Sequence, residues 1–348
     1  MKSHFFTFFI CLFLFSCKNE STHPFSDWIT VTKNIQYKEN QKEFLLKSGN
    51  HQYSFAKSHL PFKKIVLLNA SLVGYVTELG EENKIVGVSS PEYIYSEKIQ
   101  KRIKYQQIQN VGNEQKYDVE KIIALKPDAV FTNYIGSFQN TYDLLEKMGI
   151  KVIFIDEYLE EKPFEKSAII EIFGKLLGKE KEASLALKEI EDNYNKYKKI
   201  AGEYRQKPRV LTNELYGNQW FLAGGKSQLA YFIKDANAEY IFGNNSEVSA
   251  LPKSFEEVYA KARNADFWVN IGNHKSKQEL LALQPAYAQL NVFQKGEMYA
   301  LTGKEKAQSN DYFESGVVRA DRVLKDYIII FHPEAFPREK LYYMSKLK

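Results

Sequence analysis

The sequence is built from short apolar runs that alternate with amphipathic stretches. Two of these units are DVEKIIALKPDAVFTN at residues 118–133 and SFEEVYAKARNADFWVN at residues 254–270. Each predicts a helix, a turn and a buried strand, because helical spacing gives way to a short continuous apolar run. Strands that alternate with helices form parallel sheets, since each connection must cross back over the sheet. We therefore predict an α/β fold with mostly parallel sheets.

A long amphipathic stretch divides these units into two groups. Apolar residues keep a helical period from about residue 163 to residue 201, and Gly178 indicates a break. A helix of about 20 residues spans roughly 30 Å, which is enough to bridge two lobes. We predict two three-layer α/β lobes, at residues 63–162 and 205–348, joined by one long linker helix within residues 163–204.

A segment of different character precedes the first lobe. Residues 28–62 alternate apolar and polar side chains, and Ser48-Gly49-Asn50-His51 has the composition of a turn between strands. This pattern predicts a small β meander.

The chain begins with the run MKSHFFTFFICLFLFS. A positive start followed by an apolar core shorter than a membrane span is typical of a signal peptide, which we place at residues 1–16. Phe15-Ser16-Cys17 resembles a bacterial lipobox, although Phe15 is bulkier than usual at its position. We expect lipidation of Cys17, a tether over residues 17–27 and a location in the cell envelope, anchored to the bilayer. The alternative is an ordinary cleaved signal peptide.

Several classes of function are disfavoured by composition. The net charge of +5 is spread along the chain, so no nucleic-acid partner is expected. Beyond Cys17 there is no cysteine, which excludes disulfides and cysteine-ligated metals from the processed chain. The six histidines are scattered, and no HExxH, GxSxG or GxGxxG motif occurs. We expect no metal site, no cofactor and no catalytic residues, with a hydrolase that uses the cleft as a remote alternative.

Four segments carry a resemblance to a known family. They are Val86-Gly87-Val88-Ser89-Ser90, DVEKIIALKPD at 118–128, GGKSQLAYFIKDANAEYIFG at 224–243 and SFEEVYAKARNADFWV at 254–269. Their order and spacing resemble substrate-binding lipoproteins of ABC importers in the iron-siderophore, haem and cobalamin class. The resemblance implies a monomer that holds a metal chelate between its lobes and delivers it to an ABC permease in the inner membrane. It leaves open a ferric siderophore, haem or a cobalamin-like ligand.

Ligand-binding residues are expected in the loops that follow the strands, because pockets gather at the carboxyl ends of parallel strands. These loops offer aromatic and amide side chains that suit a planar or macrocyclic ligand. The candidates are Ser71, Ser90, Tyr93, Asn133 and Tyr134 in the first lobe, and Tyr216, Trp220, Asn273 and Tyr312 in the second.

The resemblance also implies one docking glutamate on each lobe for the permease. Glu256 matches in the second lobe, whereas Gln109 occupies the position in the first lobe and Glu114 is the nearest substitute. This departure supports an alternative function, in which a surface lipoprotein assists an outer-membrane uptake receptor without docking to a permease.

Overall fold

The computed structural model describes residues 25–348. The predicted signal peptide, the predicted lipidation site Cys17 and most of the predicted tether lie outside these residues.

The first described element is an antiparallel meander. Its strands pair in the order β1-β2-β3-β4. They are β1 (Ile29–Thr30), β2 (Ile35–Glu39), β3 (Glu43–Ser48) and β4 (His51–Ala56). Alternate residues of β3 are buried, as expected for a sheet with one face on a core.

The first lobe contains a five-stranded parallel sheet with the order β11-β10-β5-β6-β7. The sheet strands are β5 (Ile65–Leu67), β6 (Ile85–Val88), β7 (Gln109–Asn110), β10 (Ala129–Thr132) and β11 (Lys151–Phe154). A separate hairpin pairs β8 (Gly112–Asn113) with β9 (Lys116–Tyr117). The helices are α1 (Ala70–Glu78), α2 (Glu97–Lys104), α3 (Val119–Leu125) and α4 (Gln139–Lys147).

Both faces of this sheet are buried. Ile65 and Leu67 pack in one apolar cluster with the meander and the linker, whereas Val66 packs in a second cluster with α3 and α4. Because side chains alternate across a strand, a continuous apolar strand serves two cores at once. The lobe is thus a three-layer structure.

The linker is a series of three helices. They are α5 (Pro163–Ala168), α6 (Ile170–Leu177) and α7 (Glu180–Ala201). Gly178 ends α6 with a φ of 70°, a left-handed conformation that glycine adopts without a steric penalty. The predicted break is therefore present, and α7 is the 22-residue helix that leads to the second lobe.

The second lobe has a five-stranded sheet with the order β15-β12-β17-β18-β21, in which only the pairing of β18 with β21 is antiparallel. Its strands are β12 (Arg209–Thr212), β15 (Glu239–Tyr240), β17 (Phe267–Val269), β18 (Glu297–Ala300) and β21 (Ser345–Lys346). Smaller sheets contain β13 (Leu215–Tyr216), β14 (Gln219–Leu222), β16 (Leu251–Lys253), β19 (Glu305–Lys306) and β20 (Ser309–Asn310). The helices are α8 (Gln228–Asp235), α9 (Phe255–Lys261), α10 (Lys277–Leu283), α11 (Asn291–Lys295), α12 (Ser315–Val318) and α13 (Ala320–Phe331). The predicted fold class is confirmed.

The chain returns to the first lobe just before its last long helix. Two helices form here, because Arg319 separates α12 from α13. Helix α12 packs on α1, and a Cβ atom at Gly74 would collide with the Glu314 carbonyl, so the two backbones meet where only glycine fits. Helix α13 then packs along α7 of the linker.

Arg319 is a buried cation at this junction, with 5% of its surface exposed. Its guanidinium donates hydrogen bonds to Glu78 of α1 at 3.0 Å, to Glu189 of α7 at 2.9 Å and to Asp321 at 2.9 Å. A charge removed from water is tolerated only when it is paired in this way. Arg319, at the break between α12 and α13, therefore connects α1, α7 and the start of α13.

The meander is packed into the core of the first lobe. The ring centroid of Phe55 lies 5.7 Å from that of Phe62, which lies 6.3 Å from that of Phe131 on β10. The backbone N–H of Phe154 on β11 donates to the Tyr53 hydroxyl at 2.9 Å. The meander is thus continuous with the lobe.

We expect Phe55→Ala to lower the free energy of unfolding by about 3–5 kcal/mol, because the side chain is 2% exposed and its loss leaves a cavity. Urea denaturation followed by circular dichroism measures the change. The matched control is Tyr105→Ala, at an aromatic residue that is 70% exposed. Equal effects of the two substitutions would contradict the packing role of the meander.

Candidate functional site

A cavity of about 630 Å³ lies between the two lobes. Its walls are the loops that follow β5, β6 and β10 in the first lobe and β17 and β18 in the second. Ligand sites in open α/β sheets form at these strand ends. The lining residues are Leu68, Asn69, Ala70, Ser71, Ser89, Ser90, Tyr93, Glu114, Asn133, Glu157, Tyr158, Lys166, Gly272, Asn273, Leu301, Glu305, Ala307, Gln308, Asn310, Phe313 and Val317.

A hydrogen-bonded network forms the first-lobe wall. Glu157 is 5% exposed, and its two carboxylate oxygens accept from the Ser71 hydroxyl and from the Asn133 amide, each at 2.6 Å. The Asn69 side chain caps α1 and also bonds Asn133. Because every member contacts another, the network fixes the orientation of the polar groups that face the cavity.

Ser90 contributes a hydroxyl that makes no hydrogen bond to any described residue. The residue is 5% exposed and adopts a left-handed conformation with φ of 45°, while its backbone N–H donates to the Gly112 carbonyl at 2.9 Å. A buried hydroxyl without a partner is costly, so this one is available to a ligand.

Lys166 on α5 brings an ammonium group to the same cavity. Burial lowers the pKa of Lys166, whereas the nearby carboxylates of Glu157 and Glu160 act in the opposite direction. No hydrogen bond or ion pair joins this ammonium group to the other described residues. It is therefore a second donor that faces the cavity.

The second-lobe wall is formed by backbone, amides and one carboxylate. Gly272 and Asn273 follow β17, and Glu305 lies on the β19–β20 hairpin. The Glu305 carboxylate lies 3.5 Å from the ammonium group of Lys275, which is largely exposed. Phe313 adds an exposed aromatic ring.

Five predicted binding residues lie together in this cavity: Ser71, Ser90, Tyr93, Asn133 and Asn273. The other four do not line it. Tyr134 packs with its ring centroid 5.2 Å from that of Phe154, and Tyr216 is 81% exposed on the β13–β14 hairpin.

Trp220 and Tyr312 belong to the core of the second lobe. Trp220 is fully buried, its indole N–H donates to the Thr212 carbonyl at 2.9 Å, and its ring centroid lies 5.3 Å from that of Trp268. Tyr312 packs edge-on against Tyr343. For Trp220 the structure thus gives a packing role, because β14 turns its side chain inward.

Three charged lining residues were missed by the sequence analysis: Glu157, Lys166 and Glu305. Glu157 follows β11 by three positions, so the rule of strand-end loops could have selected it. Lys166 lies on a helix, where nothing in the local pattern distinguishes it from the exposed lysines of the linker.

The docking candidates have different surroundings. Glu256 is exposed in the first turn of α9, while the neighbouring Glu257 closes a capping box with Ser254. Glu114 is exposed and lines the cavity mouth, and Gln109 lies on the edge strand β7.

Within residues 25–348, no group of three or more His, Cys, Asp or Glu side chains is placed to hold a metal ion. Among the same residues, no helix is both long enough and apolar enough to cross a membrane.

Glu314 ties the lobe junction to the rim of the cavity. Its carboxylate accepts from the backbone N–H groups of Tyr95 at 2.6 Å and Ser96 at 3.3 Å, which precede α2. Burial raises the pKa of Glu314 to about 7, the backbone donors act in the opposite direction, and the charge of Asp311 adds to the rise.

We expect Glu314 to make stability depend on pH. Its pKa is raised on folding from an ordinary value of 4.5, so the unfolded chain loses this proton first as the pH rises. The free energy of unfolding should therefore fall by on the order of 2–3 kcal/mol between pH 4.5 and pH 7.

Glu314→Gln keeps an oxygen for Tyr95 and Ser96 but cannot ionise. The free energy of unfolding, measured by urea denaturation across this pH range, should vary by about 2–3 kcal/mol less in the variant than in the parent. Asp326, whose pKa burial raises to about 6, contributes a fall of the same sign in both proteins. Identical pH profiles would contradict the assignment to Glu314.

A family model described as periplasmic binding protein matches residues 65–305, which is more than half of the chain. The chain belongs to the periplasmic binding protein family. The resemblance inferred from the sequence motifs is thereby confirmed, and the two lobes with a cleft between them are those of a solute-binding protein.

Solved members of this class share the fold. The haem-binding protein RhuT of Roseiflexus sp. RS-1 has a TM-score of 0.57 at 19% identity, covering 78% of this chain and 99% of its own. Helicobacter pylori CeuE with Ni(II) bound has a TM-score of 0.63 at 17% identity, covering 85% and 91%. Among curated sequences, the uncharacterized lipoprotein MJ0878 of Methanocaldococcus jannaschii is 22% identical over 302 residues, covering 84% of this chain and 70% of its own.

Proposed function

We propose that this family member is a lipid-anchored solute-binding protein that captures a metal chelate between its lobes and delivers it to an ABC permease. The observation that carries the proposal is the inter-lobe cavity, which joins the carboxyl ends of strands from both parallel sheets. Its volume of about 630 Å³ suits a small-molecule ligand. A metal chelate as ligand is supported by the similar haem-binding protein RhuT, and a metal in the cargo by CeuE with Ni(II) bound.

In this proposal the protein binds its ligand and performs no covalent chemistry. Ser71, Ser90, Asn133 and Asn273 supply hydrogen bonds to the polar rim of the ligand, and Tyr93 supplies an aromatic surface. The protein would be a monomer, anchored to a membrane of the cell envelope through acylated Cys17. A similar protein named as a lipoprotein supports the anchor.

Filling the cavity should weaken ligand binding. Asn273 is exposed and lines the cavity, so Asn273→Trp places an indole there at little cost to the fold. We expect at least a tenfold loss of affinity, about 1.4 kcal/mol, for whichever of a ferric siderophore, haemin or a cobalamin binds. Isothermal titration calorimetry on the chain carrying Cys17→Ser, which cannot be acylated, gives the measurement.

The matched control is Asn218→Trp, at an exposed residue of the β13–β14 hairpin outside the cavity lining. It should bind as the parent does. If both variants bind equally well, the ligand does not occupy the inter-lobe cavity and the proposed site is wrong.

A second candidate function is that of an accessory lipoprotein to an outer-membrane uptake receptor. It is favoured by Gln109 and by the position of Glu114 at the cavity mouth, where a bound ligand could cover it. In that case permease docking would not be retained.

Charge reversal distinguishes the two candidates. Under permease docking, Glu256→Lys should reduce chelate uptake by cells at least tenfold without changing the affinity of the purified protein, because an exposed carboxylate is lost from the interface alone. The control is Glu191→Lys, on an exposed part of α7. Undiminished uptake with Glu256→Lys would favour the accessory function.

A further inference from the structure

The charged side chains that line the cavity are unbalanced. Among the lining residues, Glu114, Glu157 and Glu305 are acidic and Lys166 alone is basic. The Glu305 carboxylate is paired with the ammonium group of Lys275 at 3.5 Å, whereas the Glu114 side chain makes no ion pair or hydrogen bond with the rest of the described chain. The lining therefore carries an excess of negative charge.

This excess acts against anionic ligands. A chelate with peripheral carboxylates, or one with net negative charge at the metal, would need cations around it to replace the water it loses. Lys166 is one cation, and it already lies in the field of Glu157 and Glu160. The carboxylates of Glu114 and Glu305 would also repel the approaching anion.

The hydrogen-bonding groups of the cavity point to a different ligand surface. The inner wall offers donors, since the Ser90 hydroxyl is 5% exposed without a partner and the Lys166 ammonium group faces the same space. Elsewhere the lining offers carboxylate acceptors at Glu114, which is exposed, and at Glu305, which is largely buried. A carboxamide has both a carbonyl oxygen for the donors and N–H groups for the acceptors.

Amide side chains reinforce this complementarity, because each can donate and accept at once. Five amides line the cavity, of which Asn69, Asn133 and Asn310 already bond other groups of the protein. Asn273 and Gln308 are the two that remain for a ligand. Asn69 and Asn133 are held by the network around Glu157, so their positions are fixed before a ligand arrives.

We infer that the ligand is a neutral or cationic chelate whose rim carries carboxamide groups. Its amide carbonyls accept from Ser90 and Lys166, and its amide N–H groups donate to Glu114 and Glu305. The inference rests on the proposed function and narrows the chelate to one chemical class.

The test compares four probes on the chain carrying Cys17→Ser, by calorimetry at one ionic strength. Cyanocobalamin has a carboxamide rim, ferrioxamine B is a cationic hydroxamate with amides in its backbone, haemin carries carboxylates, and ferric enterobactin is an anionic catecholate. We expect one of the first two to bind at least tenfold more tightly than either of the last two. Binding of cyanocobalamin would indicate a corrinoid ligand, whereas binding of ferrioxamine B would indicate a cationic hydroxamate siderophore.

Lys166→Met removes the charge while keeping much of the volume, and it should weaken the best probe about tenfold through loss of a charged hydrogen bond. Lys196→Met, at an exposed residue of α7, is the matched control and should bind as the parent does. Conversely, the double substitution of Glu114→Gln and Glu305→Gln should raise the affinity for haemin toward the affinity for the amide-rimmed probes.

The outcomes separate the two proposals. Tightest binding of haemin or ferric enterobactin would overturn the carboxamide inference and leave the carrier function intact. Binding of none of the four would count against the carrier function itself. If an amide-rimmed probe binds best but equally well to the Lys166→Met variant, the assignment of Lys166 as a donor is overturned.

Discussion

The arrangement of the two lobes depends on the packing of residues 314–319 against α1. At Gly74 the backbones approach so closely that any side chain would collide with Glu314. Arg319 then connects α1, α7 and Asp321 through its guanidinium. Since α13 continues from this point along α7, the second lobe is attached to the first through this junction as well as through the linker. The cavity lies beside it, with Phe313 and Val317 in its lining.

The fold could be predicted because its signals are local. Continuous apolar strands such as Ile65–Leu67 require cover on both faces, and the helices between them supply it. The break at Gly178 was visible for the same reason, since a glycine at a helix end has a conformational cause. The break at Arg319 was not visible. The helical spacing of apolar residues continues through residues 313–331. Only partners that are distant in sequence, such as Glu78, explain why α12 ends before Arg319.

The candidate cavity contains some of the predicted binding residues and not others, and this division has a physical basis. Ser71, Ser90 and Asn133 follow parallel strands directly, so topology alone places them near the cleft. Trp220 lies on β14 of a small antiparallel sheet, where the direction of a side chain depends on register that the sequence does not specify. Lys166 reaches the cavity from a helix of the linker. Its role depends on how the linker packs, which only the assembled structure reveals.

The junction also bears on how a bound molecule could leave. Opening the cleft widely would draw Glu314 away from Tyr95 and Ser96, and Arg319 away from Glu78, exposing or orphaning groups that are now buried and paired. Any opening that separates these pairs would therefore cost the free energy of their contacts, so the residues that stabilise the junction would also limit how far the lobes can part.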